Sequence, residues 1–281
     1  MNWWDDEDWI DPDEWTATVV EVVGTTYSMF WVTNKKTKER GLFKPESNWR
    51  RSAFNEYAAS KIGNCLGVPC ARLLVGNVFG GGGCISMDVR QGYSERILSG
   101  ESLGRVGSLL NYEKSKDGKP VYDMPREMSF EGLLPFLPKE AELGMVKMMF
   151  FDSIIRNAGR HGSNFSFAID DNRAITAFLP LYDQGNAVLE DTSSSDYGGR
   201  GGRGGRGGWG RRRGSAFPYY GHGGMHRPFP LEELNKCIKR DYPDLVRELV
   251  AKTRTEEFRT ITTRLDCYEL MMDRVNEFIN Q

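Results

Sequence analysis

The stretch that decides the fold runs from Phe150 to Asp183 and reads FFDSIIRNAGRHGSNFSFAIDDNRAITAFLPLYD. It begins as the end of an apolar helix and breaks at Asn157. A polar loop then ends in Asn164, and two short β-like runs lead to the acidic residue Asp183. Mg²⁺ binds oxygen ligands and keeps water and phosphate in its shell, so one amide oxygen and one carboxylate suffice as a protein contribution. The order therefore predicts a divalent-cation site at neighbouring strand ends.

The polar loop also carries a motif, Asn157-x-x-Arg160-His161-x-x-Asn164, followed by Pro180-Leu181-Tyr182-Asp183. This series resembles the catalytic loop and metal-binding aspartate of the HipA-like and CtkA-like bacterial serine/threonine kinases. Those enzymes are relatives of the protein-kinase and phosphatidylinositol-kinase folds. The resemblance implies that Asn164 and Asp183 hold Mg²⁺. On its own, the same stretch also fits a surface hairpin with polar residues.

One position departs from the family's motif. Where the family has its catalytic aspartate, this chain has Gly159, which can neither accept a proton nor align an acceptor hydroxyl. The resemblance thus implies a kinase that is impaired in this copy. For His161 we expect a structural, neutral role, fixing the turn of the loop through one hydrogen bond, because it has no further ligand candidates beside it.

The region before this loop is β-rich and holds the candidate ATP-binding residues. A strand, a loop at Gly24 and a second strand come first, and the glycine would let the backbone approach phosphate closely. An ordinary hairpin has the same pattern. The loop hydroxyls suited to phosphate oxygens are Thr25, Thr26 and Ser28.

Lys44 lies in a short apolar strand, and Glu56 lies near the start of the helix that follows. The resemblance implies that Lys44 grips the α- and β-phosphates while Glu56 fixes its rotamer. An ordinary surface ion pair is the other interpretation. By the same resemblance, Met87 begins the hinge, whose backbone contacts adenine. Gly63 predicts the end of the helix, and the run 80–83 of four glycines predicts a hairpin tip.

Residues 91–281 form the predicted larger lobe, with an apolar helix over 140–155 and amphipathic helices over 230–251 and 255–281. A low-complexity insertion at about 193–224 is rich in glycine and predicts disorder. It is either a regulatory or target-binding loop or a tolerated insertion. With Ser28, its candidate phosphosites are Ser193, Ser194, Ser195 and Tyr197. Its candidate contacts to a polyanion or RNA are Arg200, Arg203, Arg206, Arg211, Arg212 and Arg213.

Composition limits the class of protein. The chain has 281 residues and a net charge of −2, and outside the arginine-rich segment it is net acidic, which argues against a general nucleic-acid binder. The five cysteines lack a Cys-x-x-Cys pair, which predicts reduced thiols and no zinc site. No apolar run reaches the length of a membrane span. We expect a cytoplasmic protein that contacts no membrane, although a secreted effector stays open.

These observations predict an α+β, two-lobed kinase-like fold. Its parts are an acidic, tryptophan-rich arm over 1–15, expected to dock partially on the body, a small ATP-binding lobe over 16–90 and a helical catalytic lobe over 91–281. The resemblance implies transfer of phosphate from ATP with Mg²⁺ to Ser or Thr of a protein, including autophosphorylation, in a toxin-antitoxin or effector setting. Lipid and small-molecule acceptors stay open. Two other classes remain: a nucleotide-binding pseudokinase, and an RNA-associated protein that acts through its Arg-Gly-Gly segment.

Overall fold

A computed structural model of the chain describes residues 4–19, 29–46, 52–78, 80–91, 97–99, 137–157, 160, 164–172, 174–185, 187, 189, 216–217 and 229–281. Two short 3₁₀ helices, Asp6–Asp8 and Pro12–Glu14, open the described part. The fold is mixed α+β, with an antiparallel sheet at one end and packed helices at the other. The α+β, two-lobed kinase-like class predicted from the sequence is therefore confirmed.

The small lobe is a five-stranded antiparallel sheet in the order β1-β2-β3-β5-β4. Its strands are β1 (Trp15–Val19), β2 (Phe30–Asn34), β3 (Arg40–Pro45), β4 (Leu73–Val78) and β5 (Gly81–Met87). Successive side chains of a strand point to opposite faces. In β3 the buried Phe43 packs with Val32 and Ile85 in a small core, so Leu42 and Lys44 face the other way.

Helix α1 (Ser52–Cys65) crosses the sheet between β3 and β4 and passes through Gly63. The prediction that the helix ends at Gly63 is wrong. A Cβ at Gly63 would lie 2.4 Å from Cys70 Sγ, so the glycine permits close packing, and the chain turns instead at Gly67, whose φ is 73°. Likewise Gly81, Gly82 and Gly83 lie inside β5 and do not form the hairpin tip. At Gly83 a Cβ would lie 2.3 Å from Lys44 O.

The large lobe is built around α2 (Lys139–Ile155), which is apolar on nearly all sides in its second half and is buried there. Strands β6 (Ile97–Ser99), β7 (Ser166–Ile169) and β8 (Ile175–Phe178) form a three-stranded sheet beside it. Four helices complete the core: α3 (Leu231–Asp241), α4 (Pro243–Lys252), α5 (Glu256–Arg264) and α6 (Tyr268–Asn280). Strands β9 (Ala216–Phe217) and β10 (Phe229–Pro230) pair with each other.

Backbone hydrogen bonds join the segment before β4 to the segment after β8. Ala71 N lies 2.7 Å from Leu181 O, and Leu181 N lies 2.8 Å from Pro69 O. This parallel contact places the end of the 150–183 stretch beneath the sheet of the small lobe. Among the helices of the described residues, none combines the length and apolar character needed to cross a membrane.

Candidate active site between the lobes

Lys44 is the centre of an ion-pair cluster between the sheet and the large lobe. Its Nζ lies 2.5 Å from Glu56 Oε1 on α1 and 2.9 Å from Asp183 Oδ1. Strand alternation explains the position, since Phe43 points into the small core and Lys44 therefore points into the cleft. Residues from β3, α1 and the segment after β8 thus meet at one point.

The cluster holds two carboxylates and one ammonium group; Glu56 is buried and Lys44 is largely shielded from solvent. Burial disfavours the charged form of Lys44, but Glu56 and Asp183 outweigh it and raise the pKa of Lys44 above its usual value. Burial also raises the pKa of Glu56, with Lys44 opposing the shift and Asp183 reinforcing it. Lys44 therefore interacts with both carboxylates at once.

Asp183 follows the contact at Leu181 and has φ of 62°, in the left-handed region. Aspartate tolerates this region better than most residues, and such backbone positions cluster at functional sites. Its side chain is 42% exposed, whereas that of Lys44 is 12% exposed. The amide N of the next residue, Gln184, donates to Glu56 Oε2 at 3.0 Å. The Asp183 carboxylate is thus partly exposed, while the hydrogen bond from Gln184 to Glu56 holds the adjoining backbone.

Arg160 holds the polar loop to the Asp183 segment. Its guanidinium is buried and forms a bidentate pair with Asp152, with Nε 2.8 Å from Oδ2 and Nη2 3.1 Å from Oδ1. Its Nη1 donates to Asn164 O at 2.6 Å and to Tyr182 O at 3.0 Å. Asn157 Nδ2 also donates to Asp152 Oδ1, at 3.1 Å. One side chain therefore fixes the backbone of one predicted metal ligand, Asn164, and of the residue that precedes the other, Asp183.

The sequence motif included Arg160, but Asp152, its buried ion-pair partner, was not predicted from the sequence. The available signal was an acid in the apolar helical run Met148–Ile155, because a carboxylate in such a run needs a buried partner. Asn164 is buried, and its backbone carbonyl oxygen accepts a hydrogen bond from Arg160. That Asn164 and Asp183 bind a metal ion remains a prediction from the sequence.

The cleft face of the sheet continues from Lys44 toward the end of β5. Strand register places Trp31 opposite Leu42 and Leu42 opposite Ser86, all on the face that carries Lys44. Met87 N donates to Arg72 O at 3.0 Å, so the amide of the predicted hinge residue is engaged within the small lobe. Two guanidinium groups lie over the ring of Trp31: Cζ of Arg40 is 4.5 Å and Cζ of Arg90 is 4.9 Å from the ring centre.

Several predicted site residues lie outside the described residues. These are the phosphate-loop residues Gly24, Thr25, Thr26 and Ser28, the loop residues Gly159 and His161, the phosphosites Ser193, Ser194, Ser195 and Tyr197, and the six arginines between 200 and 213. Their assigned roles stay predictions.

Two solved structures are similar to this chain over most of its length. The Helicobacter pylori proinflammatory kinase CtkA is 15% identical, with a TM-score of 0.50, and the match covers 90% of this chain and 93% of that one. A chain of the Shewanella oneidensis MR-1 toxin-antitoxin complex of HipA, HipB and operator DNA is 12% identical, with a TM-score of 0.53. That match covers 94% of this chain and 68% of the other.

No protein-family model and no curated protein matches the sequence. At these identities the structural matches establish the fold alone. They agree with the resemblance found in the Asn157–Asp183 motifs, and that resemblance is confirmed at the level of the fold. The chain has the two-lobed fold of the HipA and CtkA kinases.

Proposed function

We propose that this protein transfers the terminal phosphate of ATP, with Mg²⁺, to a serine or threonine of a protein. We further propose that Gly159 makes this transfer slow. The observation that carries the proposal is the Lys44–Glu56–Asp183 cluster beneath the sheet. In a kinase-like fold, a lysine fixed by a helix carboxylate and facing an acidic residue is the arrangement that binds nucleotide phosphates.

The donor set of the cleft fits a magnesium ion. Asp183 has a partly exposed carboxylate, which contacts Lys44 beside Glu56. Asn164 offers a further oxygen ligand, and Arg160 fixes its backbone beside that of Tyr182. Mg²⁺ would supply charge neutralisation for the phosphate oxygens. Asn164 and Asp183 are the residues that would hold it.

Lys44 would bind the phosphates directly. Its raised pKa keeps the ammonium protonated across the physiological range. Glu56 Oε1 lies 2.5 Å from Lys44 Nζ and fixes the rotamer of the lysine, and the Gln184 amide in turn donates to Glu56. Lys44 is therefore already ordered before a nucleotide binds. Preorganised charge of this kind stabilises the charge that develops on the transferred phosphate.

The cleft face of the sheet provides a surface for the nucleotide base. Trp31 and Leu42 are apolar and continue the face that carries Lys44. In the turn after β5, the amides of Asp88 and Arg90 donate to Arg40 O and Asp88 Oδ1. Among the described residues, the Val89 amide has no partner, which makes it a candidate donor to the base.

Gly159 is expected to impair phosphate transfer without impairing nucleotide binding. An aspartate at this position would orient the acceptor hydroxyl, and glycine cannot. The ligands for phosphate and metal are nevertheless retained. We therefore propose slow transfer with intact nucleotide binding, and a nucleotide-binding pseudokinase is the alternative that Gly159 favours.

Calorimetry with ATP and Mg²⁺ tests the binding half of the proposal. Lys44→Met and Asp183→Asn keep the side-chain size and remove one charge each, so each should weaken affinity at least about tenfold. Lys36→Met is the matched control, since Lys36 pairs with Glu14 on the exposed surface. Equal affinity in all four proteins would refute the site. Binding without any phosphate incorporation, even after long incubation, would favour the pseudokinase.

A further inference from the structure

The N-terminal arm, residues 4–10, lies against the small lobe and is fixed to β4. Ile10 N donates to Val75 O at 2.9 Å, and Trp9 forms a parallel bridge with Val75. Ile10 is fully buried, and a Cβ placed on Gly76 would lie only 3.1 Å from Ile10 Cβ. The arm is therefore part of the packed structure of the lobe, although its acidic composition is typical of an exposed segment.

The acids of this arm grip one face of α1. Tyr57 is fully buried, and its Oη accepts from Asp5 N at 2.9 Å and donates to Asp8 Oδ2 at 3.0 Å. Burial raises the pKa of Tyr57 to about 12, so the phenol stays protonated and can donate. Lys61 lies one helical turn further, with Nζ 2.9 Å from Asp5 Oδ2 and 2.6 Å from Asp8 Oδ2. Residues four apart share a helix face, so both contacts act on the same side of α1.

The same acids tie this helix to two other elements. Arg264, the last residue of α5 in the large lobe, pairs with the Asp5 carboxylate. Arg72, just before β4, lies 3.7 Å from Asp8 Oδ1 and donates to Glu7 O at 3.3 Å. The arm thus joins α1 simultaneously to the sheet and to the large lobe.

We propose that Asp5 and Asp8 are positioning residues for the Lys44–Glu56 pair, acting through Tyr57 and Lys61. Glu56 and Tyr57 are consecutive on α1, so a rotation or shift of the helix that separates Tyr57 from the arm also moves Glu56 relative to Lys44. Glu56 is held on its other side by the Gln184 amide. The arm and the Asp183 segment therefore hold α1 from two sides in the orientation that orders Lys44.

The labelling rate of the Lys44 amine by an acylating reagent, followed by mass spectrometry, reports on this pair without any nucleotide. An ammonium held by Glu56 and mostly buried reacts slowly. Tyr57→Phe and Lys61→Met each remove an arm contact and keep the shape of the side chain. Each should raise the labelling rate of Lys44 about three- to tenfold, as expected when the ordered state becomes less populated. Lys36→Met is again the matched control and should leave the rate unchanged.

A double-mutant cycle with Glu56→Gln separates positioning from general destabilisation. If the arm acts through Glu56, Tyr57→Phe and Lys61→Met should add no further labelling of Lys44 in the Glu56→Gln background. All measurements are made well below the melting temperature of each variant. Unchanged labelling in both arm variants, or an equal increase with and without Glu56, would overturn the proposal.

The consequence for nucleotide binding rests on the proposed function. Where the wild-type chain binds ATP with Mg²⁺, both arm variants should weaken the affinity by the factor seen in Lys44 labelling. A wild-type chain that binds no ATP would overturn the proposed function, while the labelling cycle would still decide the role of the arm. Restored labelling protection in Lys61→Arg, which retains a cation, would support the ion pair as its basis.

Discussion

Gln184 offers a sharp test of how the candidate site is held together. The residue is fully buried directly behind Asp183, and its backbone amide donates to Glu56. Within the described part of the chain, neither Nε2 nor Oε1 of its side chain has a hydrogen-bond partner. Gln184→Met keeps the unbranched shape and replaces the amide with a thioether, which is at ease in an apolar interior.

The magnitude follows from the two unsatisfied atoms. A buried side-chain amide whose atoms lack partners costs about 1–3 kcal/mol, and methionine removes this cost with little change in volume. We expect Gln184→Met to raise the free energy of unfolding by about 1–3 kcal/mol. For a chain of this size, that corresponds to an increase of roughly 2–6 °C in melting temperature.

Urea and thermal unfolding of Gln184→Met, Gln184→Glu and the wild type provide the assay. Gln184→Glu would bury a carboxylate at a position whose polar side-chain atoms have no described hydrogen-bond partner, so the free energy of unfolding should fall. A destabilised Gln184→Met variant would show that the amide is satisfied in solution. That result would refute the reasoning from unsatisfied atoms.

Three further predictions address the loop, the arm and the missing aspartate. Asp152→Asn should lower the free energy of unfolding by about 3–5 kcal/mol, because it removes the charge of the carboxylate that holds the buried Arg160 guanidinium through two contacts. Chemical unfolding measures this, and a change below about 1 kcal/mol would contradict it. Hydrogen bonds from Lys61 and then Arg264 lower the pKa of Asp5 from 3.8 to about 2, so its stabilisation is present above pH 3.8 and is lost as the pH falls through about 2. Asp5→Asn should therefore be less stable than the wild type by about 1–2 kcal/mol at pH 6, after allowance for solvent screening, and the gap in urea unfolding should close toward pH 2. Gly159→Asp should raise phosphate incorporation by on the order of 10²- to 10⁴-fold under matched ATP and Mg²⁺, and equal rates would mean that another residue orients the acceptor.

The sequence predicted the class of fold through its resemblance to the HipA-like and CtkA-like kinases, which Lys44, Glu56, Asn164 and Asp183 carry in that order, and the fold agrees. Runs rich in valine and threonine predicted strands of the small lobe, because β-branched residues favour extended backbone. These features are local or depend only on order, and a sequence records both.

The tertiary structure alone decided the distances between these groups and which further groups join them. Asp183 reaches the Lys44–Glu56 pair, and Arg160 joins Asp152 to the backbone carbonyls of Asn164 and Tyr182. Gly63 suggested a helix end by its backbone propensity, yet close packing of Cys70 and Phe151 explains it. The tryptophans of the acidic arm led us to expect partial docking, and only the tertiary structure shows that its acids contact Tyr57, Lys61 and Arg264. Local propensities amount to less than about 1 kcal/mol per residue, so burial and ion pairing between distant segments override them.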